Sequence, residues 1–184
     1  MYRCLIANRG EIAVRIIRAC RELNIETVAI YAKGDETSLH VSLADQAICI
    51  GEANPLDSYL NIDRIISAAK VTESNAIHPG YGFLSESTNF AKAVEDNHIH
   101  FIGPSKTTME MMGDKITARQ TVKQAGVPVI PGSNDAVQSV DEIKLLSKEI
   151  GFPVVLKAAS GGGGKGIRIV KEASHLDQAL KEAK

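Results

Sequence analysis

From Tyr2 to Ile102 the sequence alternates short apolar runs with segments of helical periodicity, and that alternation leaves few folds open. Tyr2–Ala7, Thr27–Tyr31, Ala47–Ile50, Ala76–His78 and His100–Ile102 read as strands, with Asn8-Arg9-Gly10 and Pro79-Gly80 as turns. A helix is expected from about Glu11 to Leu23, with Ile12, Ile16, Ile17, Cys20 and Leu23 on one face. Its other face carries Glu11, Arg15, Arg18 and Glu22, spaced as i,i+4 pairs of opposite charge. Asn61 caps a helix from Ile62 to about Lys70, and a further helix runs through Phe90, Ala91 and Val94. This alternation predicts an α/β fold, a parallel sheet with helices on both faces. The strands are nearly all apolar, as strands buried on both sides must be.

The pattern changes after Pro104. Two helices, about Ser105–Met112 and Asp114–Gln124, are separated by Gly113, and the stretch Val127–Ala136 carries Pro128, Pro131 and Gly132 as an interdomain connection would. Ser139-Val-Asp-Glu142 is a capping box opening a helix to Ile150, with Gly151 as a left-handed stop and Pro153 behind it. Val154–Ala158 and Ile167–Lys171 are expected as antiparallel strands flanking a glycine loop, and Ser174-His-Leu-Asp177 as a second capping box. The expected organisation is a domain at 1–112, a helical linker at 113–136 and an unfinished domain at 137–184.

Composition excludes several function classes. Net charge is -1, from 21 basic and 22 acidic residues spread along the chain, so no basic stripe suits nucleic acid or an anionic membrane. Aromatic residues make up 4% with no Trp, which argues against stacking platforms for single-stranded nucleic acid. Cys4, Cys20 and Cys49 show neither CxxC nor Cys/His spacing and read as buried reduced thiols, so no metal site and no disulfide framework are expected. No apolar run approaches the ~18–20 residues that span a bilayer. Asn8, Arg9 and Glu11 interrupt the first apolar stretch too early for a signal peptide, and a cytoplasmic protein is expected.

The richest chemical signal is Lys157-Ala-Ala-Ser160-Gly161-Gly-Gly-Gly164-Lys165-Gly166. Gly161, Gly163 and Gly166 match G-x-G-x-x-G, but a dinucleotide site needs a helix after the glycines, and a strand pattern, Ile167–Val170, follows here. A P-loop needs Lys and then Ser or Thr after its closing glycine, and Ile167 follows Gly166. What remains is a glycine hairpin: a flap whose N–H groups close over nucleotide phosphates, or a flexible surface hairpin. Lys157 shares a strand face with Val155 and reads as a snorkelling strand-end lysine or as a cation for those phosphates. Lys115, at a helix start, is unfavourable there without an anion nearby, though alone it reads as a solvated charge. Asn8–Glu11 and His78–Glu86 lie at strand ends on the usual ligand edge of a doubly wound sheet. Tight-turn chemistry alone also uses such residues, and His78 can be structural.

Ile6-Ala-Asn-Arg-Gly-Glu-Ile-Ala13, Ala76-Ile-His-Pro-Gly-Tyr-Gly-Phe-Leu-Ser-Glu86, Phe101-Ile-Gly-Pro104, Met112-Gly-Asp-Lys115 and Lys157–Gly166 occur in this order in biotin carboxylases, which the whole chain resembles. The resemblance is strongest to the stand-alone subunit of bacterial acetyl-CoA carboxylase, which serves fatty-acid synthesis. Pyruvate, propionyl-CoA and methylcrotonyl-CoA carboxylases share the motifs. The resemblance implies a Rossmann-like (pre-ATP-grasp) domain followed by the incomplete start of an ATP-grasp lid with antiparallel strands. It also implies use of ATP and Mg²⁺ to activate bicarbonate and to carboxylate biotin on a biotin carboxyl carrier protein. By motif position Lys115, Lys157, Gly163 and Gly164 contact ATP, Tyr81 lies on the biotin side, and Arg18 and Glu22 fall where the bacterial enzyme forms its homodimer. Full-length members are much longer, so the chain is expected to lack the family's catalytic and metal-binding residues and to be inactive alone. After Gly166 only Glu172, Asp177 and Glu182 are candidate ligands, and all three read as helix-terminus or solvated residues. A non-catalytic dimerisation or nucleotide-binding module is the alternative. Asn8–Glu11 and His78–Glu86 argue against another ATP-grasp ligase.

Overall fold

Five parallel strands build the sheet that the alternation predicts: β1 (Arg3–Ile6), β2 (Glu26–Ala32), β3 (Gln46–Gly51), β4 (Ala76–His78) and β5 (His100–Phe101), in the order β3-β2-β1-β4-β5. The computed structural model describes residues 2–133, 135–137, 139–157 and 167–183. The chain divides into two compact units, Met1–Glu110 and Met111–Lys184.

In the first unit the pleat sorts side chains between two helical layers. Leu5 of β1, Val28 and Ile30 of β2 and Ile77 of β4 point into one core with Tyr59, Ile65 of α3 (Ile62–Val71), and Phe90 and Val94 of α4 (Thr88–Asp96). Cys4 and Ile6 of β1 point the other way, against Ala13, Ile16, Ile17 and Cys20 of α1 (Gly10–Glu22). Helices on both faces follow from strands that are apolar on both faces. Asn61 caps α3 by accepting from the Arg64 N–H at 3.1 Å, and Ser87 caps α4 by accepting from the Phe90 N–H at 3.2 Å.

Three expectations need correction here. Leu23 is 69% exposed, because α1 has ended by then and Leu23 is its C-cap. Cys49 is exposed rather than buried, because β3 is an edge strand with an outward-facing side. The charged face of α1 is solvated as expected, but among the described residues neither Glu11–Arg15 nor Arg18–Glu22 forms an ion pair. The short α2 (Leu39–Leu43) and a 3₁₀ turn at Pro55–Asp57 have no counterpart in the sequence reading.

Past β5, α5 (Lys106–Gly113) leads to α6 (Lys115–Gln124). Gly113 belongs to α5, and the break between the helices is made by Asp114, whose carboxylate accepts from the Thr117 N–H at 2.7 Å. In α7 (Val140–Ile150) Ser139 accepts from the Glu142 N–H at 3.2 Å, as its capping box predicts. Gly151 ends this helix at φ +86 and ψ +161, an extended conformation outside the left-handed helical region. β6 (Val154–Lys157) and β7 (Ile167–Val170) pair antiparallel, and α8 (Leu176–Ala183) packs on them. Ile143, Val170, Leu176 and Ala179 make this unit's core, with the half-buried Val154 and Leu156 packed against it. Ser174 does not cap α8, since a 3₁₀ turn at Ala173–His175 intervenes.

Phe90 is fully buried and meets Phe101 edge-on at 5.9 Å. Truncation by Phe90→Ala is expected to destabilise the first unit by about 3–5 kcal/mol. Urea titration should show this as a lower midpoint with an unchanged m-value.

Candidate functional site

The strand order reverses at β1: β2 and β3 lie on one side, β4 and β5 on the other. In open α/β sheets the carboxyl ends of the strands at such a switch point form a crevice. Here the crevice is built from the turn after β1, Asn8-Arg9-Gly10, and the turn after β4, Pro79–Phe83. Asn8 ties the two together. It is buried, and its Nδ2 donates to the carbonyls of Pro79 at 2.7 Å and Tyr81 at 2.8 Å while Oδ1 accepts from the Arg9 N–H at 2.9 Å. Gly80 sits at φ +66, and a Cβ there would lie 2.9 Å from Asn8 Nδ2, so both backbone conformation and close approach require glycine. His78 Nδ1 accepts from the Gly80 N–H at 3.0 Å, and burial pushes the imidazole pKa below its usual value, favouring the neutral ring this bond needs.

Arg9 leaves the crevice floor and lies over two aromatic rings, with its guanidinium carbon 5.0 Å from the Tyr59 centroid and 5.6 Å from that of Phe83. The rings are stacked at 5.2 Å and 5°. Arg9 also donates to Asp35 at 3.1 Å. Tyr59 is fully buried, donates to the same carboxylate oxygen at 2.7 Å and accepts from the Ala32 N–H at 3.0 Å. Burial works against ionisation of Asp35, but the hydrogen bonds from Tyr59 and Arg9 and the charge of Arg9 outweigh it and hold the carboxyl below its usual range. Burial, reinforced by the Asp35 charge, pushes the Tyr59 phenol up. Tyr81 is 60% exposed and donates its hydroxyl to Glu11. Arg9, Glu11, Ile12, Tyr81 and Phe83 line a depression of about 290 Å³.

In the second unit Lys157 is exposed and pairs in register with Ile167, while Val155 pairs with Ile169. Their outward faces make an apolar strip, with Val155 49%, Ile167 41% and Ile169 67% exposed and Lys157 at one end. Lys115 is the first residue of α6, directly after the capping Asp114. Gly163 and Gly164 lie outside the described residues. Arg18 and Glu22 both border a groove of about 790 Å³ between α1 and α2, which Arg15, Ser38 and His40 also line. Among the described residues no group of three or more His, Cys, Asp or Glu side chains can hold a metal ion, and no helix is long and apolar enough to cross a membrane.

Asp35, Tyr59 and their contact with Arg9 are absent from the sequence reading. Asp35 follows β2 at the same carboxyl edge as Asn8 and His78, so the edge rule that singles out those residues extends to it. Tyr59 sits in an irregular segment, and no local pattern marks it.

Residues 1–109 match the family model described as biotin carboxylase, N-terminal domain, and residues 114–184 match the carbamoyl-phosphate synthase L chain, ATP binding domain. Biotin carboxylase 1 of Bacillus subtilis is 54% identical over 179 residues, which are 97% of this chain and 40% of that protein. The crystal structure of a biotin carboxylase–β,γ-ATP complex from Campylobacter jejuni superposes with a TM-score of 0.89 at 49% identity, over 98% of this chain and 41% of that one. The biotin carboxylase domain dimer of Hydrogenobacter thermophilus 2-oxoglutarate carboxylase, in complex with MgADP, ADP and bicarbonate, gives 0.85 at 51% identity, over 98% of this chain and 40% of that one. The chain thus spans about 40% of the length of these relatives.

Asp35→Asn removes the charge that Arg9 and Tyr59 share, and is expected to cost about 1–3 kcal/mol at neutral pH. Because the folded-state pKa lies below the ordinary value, this contribution is complete above about pH 4 and fades as pH falls through the folded-state value. Urea titrations of both proteins should therefore differ at pH 7 and converge in acid.

Proposed function

This chain belongs to the biotin carboxylase N-terminal domain family, and on that premise we propose that the protein uses ATP and bicarbonate to carboxylate biotin on a biotin carboxyl carrier protein. The observation that carries this reading is the consecutive match of the chain to that domain and then to an ATP-binding domain. In domain terms, 1–112 is the Rossmann-like domain, 113–136 a helical linker and 137–184 part of the ATP-grasp lid.

Phosphoryl transfer needs little covalent help from a protein and depends on position and on charge placed against the phosphates. Lys157 supports such a role, as a cation at the end of an apolar strip that suits a flat base beside an anionic tail. Lys115, Gly163 and Gly164 complete the proposed ATP contacts. The reaction uses Mg²⁺, but the described residues offer no metal cluster, so none of them is assigned to it. Tyr81, at the switch-point crevice, is the proposed biotin-side residue. Arg18 and Glu22, on the exposed face of α1, are proposed to pair two copies in a cytoplasmic homodimer. The proposed destination of the carboxyl group is acetyl-CoA, for fatty-acid synthesis. The similarity to a 2-oxoglutarate carboxylase supports a 2-oxo acid acceptor, such as pyruvate, as the second reading.

The test is bicarbonate-dependent ATP cleavage with free biotin by the full-length protein. Lys157→Ala and Lys115→Ala are each expected to raise KM for ATP about 10- to 100-fold, the equivalent of one lost charged hydrogen bond, and to leave KM for biotin unchanged. Equal effects on both substrates would remove the two lysines from the ATP site.

A further inference from the structure

Tyr81 presents a difficulty that the crevice resolves. The residue is 60% exposed and gains little packing of its own, yet a side chain that meets a substrate must be held to within a fraction of an ångström. Two restraints act on it directly, the Asn8 bond to its carbonyl at 2.8 Å and the Glu11 carboxylate at its hydroxyl. The third acts two residues on. Phe83 has φ +42, a conformation rare and unfavourable for a bulky side chain, so the surrounding structure must impose it.

What imposes it is the aromatic stack. Phe83 lies flat against Tyr59 at 5.2 Å, and Arg9 lies across both rings. Tyr59 is a rigid peg: wholly buried, with its hydroxyl fixed to the Ala32 N–H at 3.0 Å and to Asp35 at 2.7 Å, just beyond the carboxyl end of β2. The Arg9 side chain is 42% exposed, but its guanidinium is committed to two ring faces and Asp35. Arg9, Phe83 and Tyr81 line one cavity. We infer that Arg9, Tyr59 and Phe83 are positioning residues that hold the Tyr81 turn, and so the biotin side of the site, in register with the sheet. This rests on the reading of Tyr81 as the biotin-side residue.

The experiment is steady-state kinetics of the full-length protein with free biotin, bicarbonate and ATP. Phe83→Leu keeps an apolar side chain but loses the flat ring, and should raise KM for biotin about 10-fold, as a small misplacement of a positioned group does. KM for ATP should stay within about twofold. Phe83→Tyr retains the ring and should restore KM for biotin. Hydrogen exchange of the amides from Gly80 to Ser85 should quicken in Phe83→Leu and not in Phe83→Tyr. Should Phe83→Leu fail to fold, Arg9→Lys, which keeps the charge and loses the planar face, decides by the same split in KM. An active protein in which the decisive variant leaves KM for biotin unchanged, or raises both KM values equally, overturns the inference. An unsubstituted protein that cleaves no ATP with biotin and bicarbonate overturns the carboxylase reading itself, and the inference falls with it.

Discussion

A stretch of strand paired along both edges and covered on both faces has nowhere to put a polar side chain, and Cys4–Ile6 of β1 is such a stretch. Its edges meet β2 and β4, Leu5 is sealed under one helical layer, and Cys4 and Ile6 are sealed under the other. Past Arg3, which enters the strand bound to Glu26 and the Thr72 carbonyl, the next side chain with strong hydrogen-bonding needs appears where the strand ends, at Asn8. Because β1 is also where the strand order reverses, the chain leaving it meets the chain leaving β4 with no strand between them. Asn8 fills that gap with donors for two carbonyls, and Gly80 admits it by having no Cβ. The crevice is thus a consequence of how β1 is buried. Any chemistry there is supplied by loops anchored to a rigid strand.

Charge at this edge is handled in two ways. Asp35 is partly buried and accepts from both Arg9 and Tyr59, so the cost of desolvating the carboxylate is offset by two directed bonds and a neighbouring cation. Tyr59 is satisfied as donor and as acceptor, which is what a fully buried phenol requires. The Glu11–Tyr81 pair is different. It is exposed, and exposed polar pairs contribute little to stability. Folding therefore does not account for a large aromatic residue held out over the crevice by an acid. The role proposed for Tyr81 does.

Much of the fold is legible in the sequence because it is set locally. Each strand of the parallel sheet shows as an apolar run, and Asn61 and Ser139 announce their helices through contacts three residues away. The failures are of two kinds. Leu23, Ser174 and Gly113 lie at element ends, where one more or one fewer hydrogen bond moves the boundary and periodicity carries no information. Cys49 and the Arg9–Asp35–Tyr59–Phe83 assembly depend on which strand lies at the edge and which loops meet, and both are set by tertiary order. The site is half legible for the same reason. Asn8–Glu11 and His78–Glu86 stand out as motifs at strand ends, while Asp35 and Tyr59, which brace them, lie in segments without periodicity.

The second unit poses the converse problem. Its two-stranded sheet buries Val170 and packs the half-buried Val154 and Leu156 against the core it shares with α7 and α8, and that inner face suffices to build its core. A solvated outer face would ordinarily carry polar residues at Val155, Ile167 and Ile169, because alternation in a one-sided sheet costs nothing to satisfy. Instead the outer face is β-branched and apolar throughout, apart from Lys157. A lysine at that position can keep its ammonium in water and lay its stem along the apolar strip, so folding alone tolerates it. Folding alone does not require the strip. An exposed apolar strip beside one cation is what the ATP contact proposed for Lys157 would use.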